Sequence, residues 1–138
     1  MKLLIYGAGV LGGNLASNLY QAKQNVTLLA RDKWAEAIQT NGLVVRNKLR
    51  MKTTVSQIPV ITELKPEDVY DVIFVVLRYT QLESVVDILR ANATKNIVFV
   101  GNNVRVRYYA GLLPEKNVLF AFALLAGHRE STVSWALT

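Results

Sequence analysis

The chain has 138 residues, of which 51% are hydrophobic and 19% charged, with a formal net charge of +6. That balance excludes a disordered tail and supplies enough apolar side chains for one domain with its own core. Cys is absent and His128 is the single histidine, so disulfides, thiol chemistry and a multi-histidine metal site are excluded. Lys2–Tyr6 reads as a short buried strand, and Gly7-Ala8-Gly9-Val10-Leu11-Gly12 follows at once. Leu11, Leu15 and Leu19 then recur every four residues, which predicts a helix over Val10–Lys23. Asn25–Ala30 is almost continuously apolar, as a parallel strand covered on both faces would be. Asp32 is expected to cap a helix that carries Trp34, Ala37 and Ile38 on its inner side and ends at Asn41-Gly42.

The next section breaks the strand–helix rhythm. Leu43–Val45 and Leu49–Val55 are strand-like and joined through Asn47-Lys48, so residues 43–61 are expected to form a small antiparallel excursion. Pro66 marks a turn or a helix start, and Val72–Leu77 is the strongest strand signal in the chain. Leu82, Val85, Val86 and Leu89 give a helical stripe. Asn96–Val100 is another strand, Arg105–Leu113 a short helix stopped by Pro114, and Val118–Phe122 a further strand. This alternation predicts an α/β domain, Rossmann-like, with a mainly parallel sheet flanked by helices. No linker divides the chain, so residues 1–138 are read as one domain.

Strand, glycine turn and helix in that order predict a dinucleotide site. Gly7 permits the tight turn, Gly9 lets backbone approach a pyrophosphate, and Gly12 lets the helix pack closely on the sheet. Val10 and Leu11 supply the amides of the helix start, where negative phosphate charge is favoured. The competing reading is a tight structural turn with no ligand. The cofactor type turns on the end of the second strand. An acidic residue there binds ribose hydroxyls, whereas Arg31 is suited to grip a 2′-phosphate through paired, charge-assisted hydrogen bonds. NADP (NADPH) is therefore expected over NAD, with Asp32 as the competing ribose acceptor. Arg78, just past the strongest strand, is placed to meet a cofactor phosphate or an acidic substrate, or else simply begins a helix. Tyr79, Thr80 and Gln81 lie along the same edge. Asn102 and Asn103 follow the next strand in the same way, to orient ribose or a substrate polar group, or to serve turn chemistry.

Basic residues concentrate at Arg46, Lys48, Arg50 and Lys52 and again at Arg105 and Arg107. Alternate spacing would put each cluster on one face of a strand. Nucleic acid is set aside as a partner, because a solvated face or attraction toward a phosphorylated cofactor accounts for the same residues. The longest apolar run, Val118–Gly127, is about half of what a bilayer needs. Glycines interrupt the apolar start that would otherwise mimic a signal peptide. The expectation is a cytoplasmic chain with no membrane span.

Over Lys2–Gly13, Asn25–Arg31 and Tyr70–Arg78, extended by Gln81 and Asn102-Asn103, the chain resembles the cofactor half of the ketopantoate reductase family. The resemblance implies an NADPH-binding Rossmann domain with Arg31 near the adenosine phosphate, Arg78 near the cofactor and cleft, and Asn102 at the nicotinamide region. It implies reduction of the keto group of 2-dehydropantoate, a small 2-oxo acid, to pantoate, a step of pantothenate biosynthesis. In the family a Lys of a following helical domain acts as the acid and a Glu there binds substrate. Residues 1–138 are expected to offer no position for either, so no catalytic residue is assigned and the chain alone is expected to be catalytically incomplete. Asn103-Val-Arg-Val-Arg-Tyr-Tyr and Phe120-Ala-Phe-Ala-Leu depart from the family's glycine-containing patterns. His128, Arg129 and Glu130 form a polar cluster read as surface hydrogen bonding, with His128 as proton donor the sharper alternative. The rival reading is a noncatalytic dinucleotide-binding or interaction module. Trp135 and Leu137 would then touch protein beyond this chain, with an internal contact the equal alternative, and a homodimer would cover the side usually packed against the second domain.

Overall fold

The computed structural model describes residues 1–47, 49–101, 105–122, 126–130 and 133–137, with Tyr79, Val106 and the last two stretches described by backbone alone. The order is β1 (Lys2–Tyr6), α1 (Val10–Gln21), β2 (Asn25–Leu29), α2 (Asp32–Asn41), β3 (Leu43–Asn47), β4 (Lys52–Ser56) and β5 (Val60–Ile61). It continues with β6 (Val72–Val75), α3 (Tyr79–Ala91), β7 (Asn96–Val100), α4 (Val106–Leu112), β8 (Asn117–Ala121), β9 (Ala126–Glu130) and β10 (Val133–Leu137).

Six strands form one parallel sheet in the order β5-β2-β1-β6-β7-β8. The chain runs outward from β1 through β2 to β5, then crosses back to β6 and runs the other way. The reversal lies between β1 and β6, and ligands of open α/β sheets bind outside the carboxyl ends at such a point. Strand alternation sends side chains to two cores. Leu4 and Tyr6 join Ile73, Val75, Ile97 and Phe99 on the face covered by α3 and α4. Leu3 and Ile5 join Val26, Leu28 and Ala16 on the face covered by α1 and α2. The stripe expected on α3 is buried in full at Leu82, Val85, Val86 and Leu89. Each such side chain contributes about 1.5–3 kcal/mol.

On α1 the tightest contacts are made not by the leucine stripe but by Gly12, Gly13, Ala16 and Ser17, which are buried. Leu11, Leu15 and Leu19 pack at the margin of the core, half-buried. Small residues are needed there because α1 lies between two sheets. The second has the order β4-β3-β10-β9. Ser56 at the end of β4 reaches α1 directly: its hydroxyl is 3.3 Å from that of Ser17 and accepts a hydrogen bond from Gln21 Nε2 at 3.0 Å.

The antiparallel excursion is narrower than 43–61. β3 and β4 pair antiparallel from Leu43↔Ser56 to Asn47↔Lys52, but β5 returns to the main sheet, parallel to β2. Pro59 marks the change, its carbonyl accepting the Leu28 N–H at 2.9 Å. The hairpin also gains β10, parallel to β3, and β9, antiparallel to β10. The basic clusters do not line strand faces. Arg46 lies on β3, Arg50 in the turn and Lys52 on β4, since the Asn47 side-chain oxygen accepts the Arg50 N–H at 3.0 Å and turns the chain. Lys48 lies outside the described residues. Arg105 and Arg107 sit at the start of α4. Among the described residues, no helix is long and apolar enough to cross a membrane, and no group of carboxylates and histidines is placed to hold a metal ion.

Candidate functional site

β1 ends at Tyr6, opposite Leu29 of β2 on one side and Val75 of β6 on the other. The chain then turns through Gly7, whose φ of +121° is one that L side chains rarely adopt. A Cβ on Gly7 would also lie 2.4 Å from the Val76 carbonyl oxygen, so the end of β6 closes over this turn. A Cβ on Gly12 would lie 1.8 Å from the Gly7 carbonyl oxygen, which is how closely α1 packs on the turn that precedes it.

Gly9 is different. It is exposed, it is the N-cap of α1, its φ of −74° is open to any residue, and a Cβ there would meet nothing within 4 Å. The fold's own packing thus requires Gly7 and Gly12 but not Gly9. Bareness at Gly9 instead suits close approach by a group from outside the chain. The first turn of α1 has no acidic residue and no side-chain cap, so its orphan amides and the positive end of its dipole present an anion-accepting mouth. Val10 and Leu11 form that first turn and are half-buried.

Arg31 and Asp32 flank this mouth on the β2 side. Arg31, exposed, is the N-cap of α2, and its carbonyl accepts the Ala35 N–H at 3.1 Å. Asp32 is therefore not the cap expected from the sequence. It is the first helical residue, makes no side-chain cap bond, and turns the chain with a left-handed φ of +54°. Asp tolerates that conformation better than most residues. On the inner side of α2, Ala35 and Ile38 are buried, with Trp34 and Ala37 half-buried beside them. Trp34 does something its sequence pattern gives no sign of: its indole Nε1–H donates to the Ala8 carbonyl at 2.6 Å, tying α2 to the glycine turn.

Arg78 lies on the β6 side, exposed, as the N-cap of α3. Gln81 Oε1 accepts the Arg78 N–H at 3.2 Å while the Gln81 N–H donates to the Arg78 carbonyl at 2.8 Å. Gln81 thus serves the helix start, and Thr80 beside it is exposed. After β7 the chain passes Gly101, with φ +144°, at the same carboxyl edge. Asn102 and Asn103, which follow, lie outside the described residues. Arg105 is engaged locally, its guanidinium 4.0 Å from the Tyr108 ring centre and 3.8 Å from Glu83. His128, Arg129 and Glu130 lie on β9 in the second sheet, and Trp135 and Leu137 on β10. Gly7, Gly9, Gly12, Arg31 and Arg78 are therefore brought to one edge of one sheet, around the reversal point.

Residues 3–137 match the family described as Ketopantoate reductase PanE/ApbA. The chain belongs to the ketopantoate reductase family. Over 87 residues it is 31% identical to the uncharacterized oxidoreductase YkpB of Bacillus subtilis (strain 168), a match covering 63% of this chain and 28% of that protein. Among solved structures it is similar to the probable 2-dehydropantoate 2-reductase panE of Bacillus subtilis, with a TM-score of 0.84 and 22% identity over 98% of this chain and 46% of that one. It is also similar to a D-mandelate dehydrogenase solved with NADH and anilino(oxo)acetate, at a TM-score of 0.82, with 20% identity over 98% of this chain and 45% of that one. The chain thus spans about half the length, or less, of the relatives it matches. At these identities the structural likeness establishes the fold, a Rossmann-like α/β domain.

Proposed function

We propose that this chain is the NADPH-binding portion of a 2-dehydropantoate 2-reductase-like oxidoreductase that delivers hydride to a small 2-oxo acid. The observation that carries the reading is Gly9, bare at the mouth of α1 with no internal reason to be so, between two exposed arginines. In this reading the α1 amides hold the pyrophosphate. Arg31 grips the 2′-phosphate through two parallel charge-assisted bonds. Arg78 faces the cofactor phosphate or the substrate carboxylate across the β1–β6 crevice. Asn102 and Asn103, carried on the segment after β7, orient ribose or the substrate. Bound NADPH supplies the hydride. The proton for the carbonyl oxygen is assigned to no residue of this chain.

A second reading, a noncatalytic binding or interaction module, is favoured by one observation. Leu119 and Phe122, on and just after the edge strand β8, are 67% and 70% exposed, an apolar edge suited to further protein.

Titration with NADPH and NADH tests the first reading. Arg31→Ala should weaken NADPH about 10- to 100-fold and leave NADH nearly unchanged, since a hydrogen bond to a charged group is worth about 1.5–3 kcal/mol. Equal losses would remove the role of Arg31, and no binding of either dinucleotide would remove the proposal. NADPH binding with no reduction of 2-dehydropantoate would keep the cofactor assignment and favour the second reading over autonomous catalysis.

A further inference from the structure

The bond from Trp34 to Ala8 has a consequence for the geometry of the glycine turn. Ala8 is 7% exposed, so its carbonyl has little access to water and needs a protein partner. The indole supplies one at 2.6 Å. The Ala8–Gly9 peptide is trans, and a trans peptide points its C=O and N–H in opposite directions. Anchoring the Ala8 carbonyl toward α2 therefore turns the Gly9 N–H away from α2. Gly9 is the N-cap of α1, where the backbone is exposed and unobstructed.

We infer that Trp34 is a positioning residue for the dinucleotide site, holding the Ala8–Gly9 peptide plane so that the Gly9 amide faces the diphosphate. The inference rests on the dinucleotide reading above and adds a residue to it. Trp34 lies in the first turn of α2, the helix that Arg31 caps. One short helix start thus carries both the side chain assigned to the 2′-phosphate and the side chain that sets the diphosphate-facing amide. The two roles separate by ligand. The diphosphate is common to NADPH and NADH, whereas the 2′-phosphate is not.

Trp34→Phe keeps the ring and removes the donor. It should weaken NADPH and NADH alike, by about three- to tenfold, the worth of one neutral hydrogen bond. The ratio of the two affinities should stay within about twofold of wild type, and adenosine 2′-monophosphate, which lacks the diphosphate, should bind as before. In the ligand-free protein the amide resonances of Gly9 and Val10 should shift in the variant. A purely structural role would lower the melting temperature and leave the dinucleotide affinities of the folded protein unchanged, and that result overturns the inference. Loss confined to NADPH overturns it as well. A wild-type chain that binds neither dinucleotide instead removes the reading beneath it. Should Trp34→Phe not fold, the wild-type indole N–H carries the test. Its hydrogen exchange should slow further with saturating NADH, and an exchange rate indifferent to NADH overturns the assignment.

Discussion

Replacing Gly12 by Ala puts a methyl carbon 1.8 Å from the Gly7 carbonyl oxygen, 3.0 Å from its carbonyl carbon and 3.5 Å from Ile5 Cγ2. The first two are backbone atoms and cannot rotate away, so α1 and the glycine turn must separate by roughly 1 Å or more in a closely packed interior. Overpacking of this kind costs about 1–3 kcal/mol, and the upper end applies where the obstacle is main chain. Ala regains up to about 1 kcal/mol over Gly through helix propensity. The net loss is then about 2 kcal/mol, which for a domain of this size lowers Tm by about 6–8 °C. Thermal unfolding followed by far-ultraviolet circular dichroism reads the shift, with a dinucleotide titration of the folded fraction beside it. A variant melting within about 2 °C of wild type would show that α1 does not bear on the turn as described, and the steric assignment of Gly12 would fall.

Gly9→Ala should do the reverse. The added methyl meets no protein atom within 4 Å, so Tm should move by less than about 2 °C while affinity for both dinucleotides falls at least about tenfold; unchanged affinity in a titration would refute a ligand at that turn. Stability should also fall at alkaline pH. Burial, with Glu83 nearby, raises the Tyr109 phenol above its ordinary value of 10.0, and burial, with Asp68, raises that of Tyr70. An acid whose folded pKa is raised holds its proton longer in the native state, so its contribution is complete below the unfolded value of 10.0 and is lost as pH climbs through the folded one. Urea unfolding from about pH 9 to about pH 11 should show that fall, and Tyr109→Phe should make it shallower. An identical profile in the variant would refute the assignment.

The sheet was legible because its strands are locally distinctive. Val72–Val75 and Asn96–Val100 are short apolar runs, buried on one face and largely half-buried on the other, and the Leu82–Leu89 stripe keeps a helical period throughout. Glycine spacing located the turn after β1 because two of its three glycines are required by sterics. What escaped depends on residues far apart in sequence. The alternating cations from Arg46 to Lys52 look like one strand face, yet the chain reverses between Asn47 and Lys52. Return of β5 to the main sheet hinges on pairing with β2, some thirty residues earlier, for which two residues carry no local pattern. Asp32 looks like a helix cap because Asp is a good one, and its left-handed turn is a tertiary consequence of the route from β2 into α2. The Trp34 bond to Ala8 joins residues whose local patterns are each complete without it.

The pairing of β10 with β3 ties residues 133–136 to residues 44–47. Until the last of these residues leaves the ribosome, the outer edge of β3 has no neighbour and the β3–β4 hairpin stands as a two-stranded ribbon, which is marginal by itself. Closing this seam joins residues 89 positions apart in sequence, so it is a late and slow event compared with forming α3 or the neighbouring β6–β7 pair. A nascent or C-terminally clipped chain would therefore display an unsatisfied strand edge, able to recruit the wrong segment or another molecule.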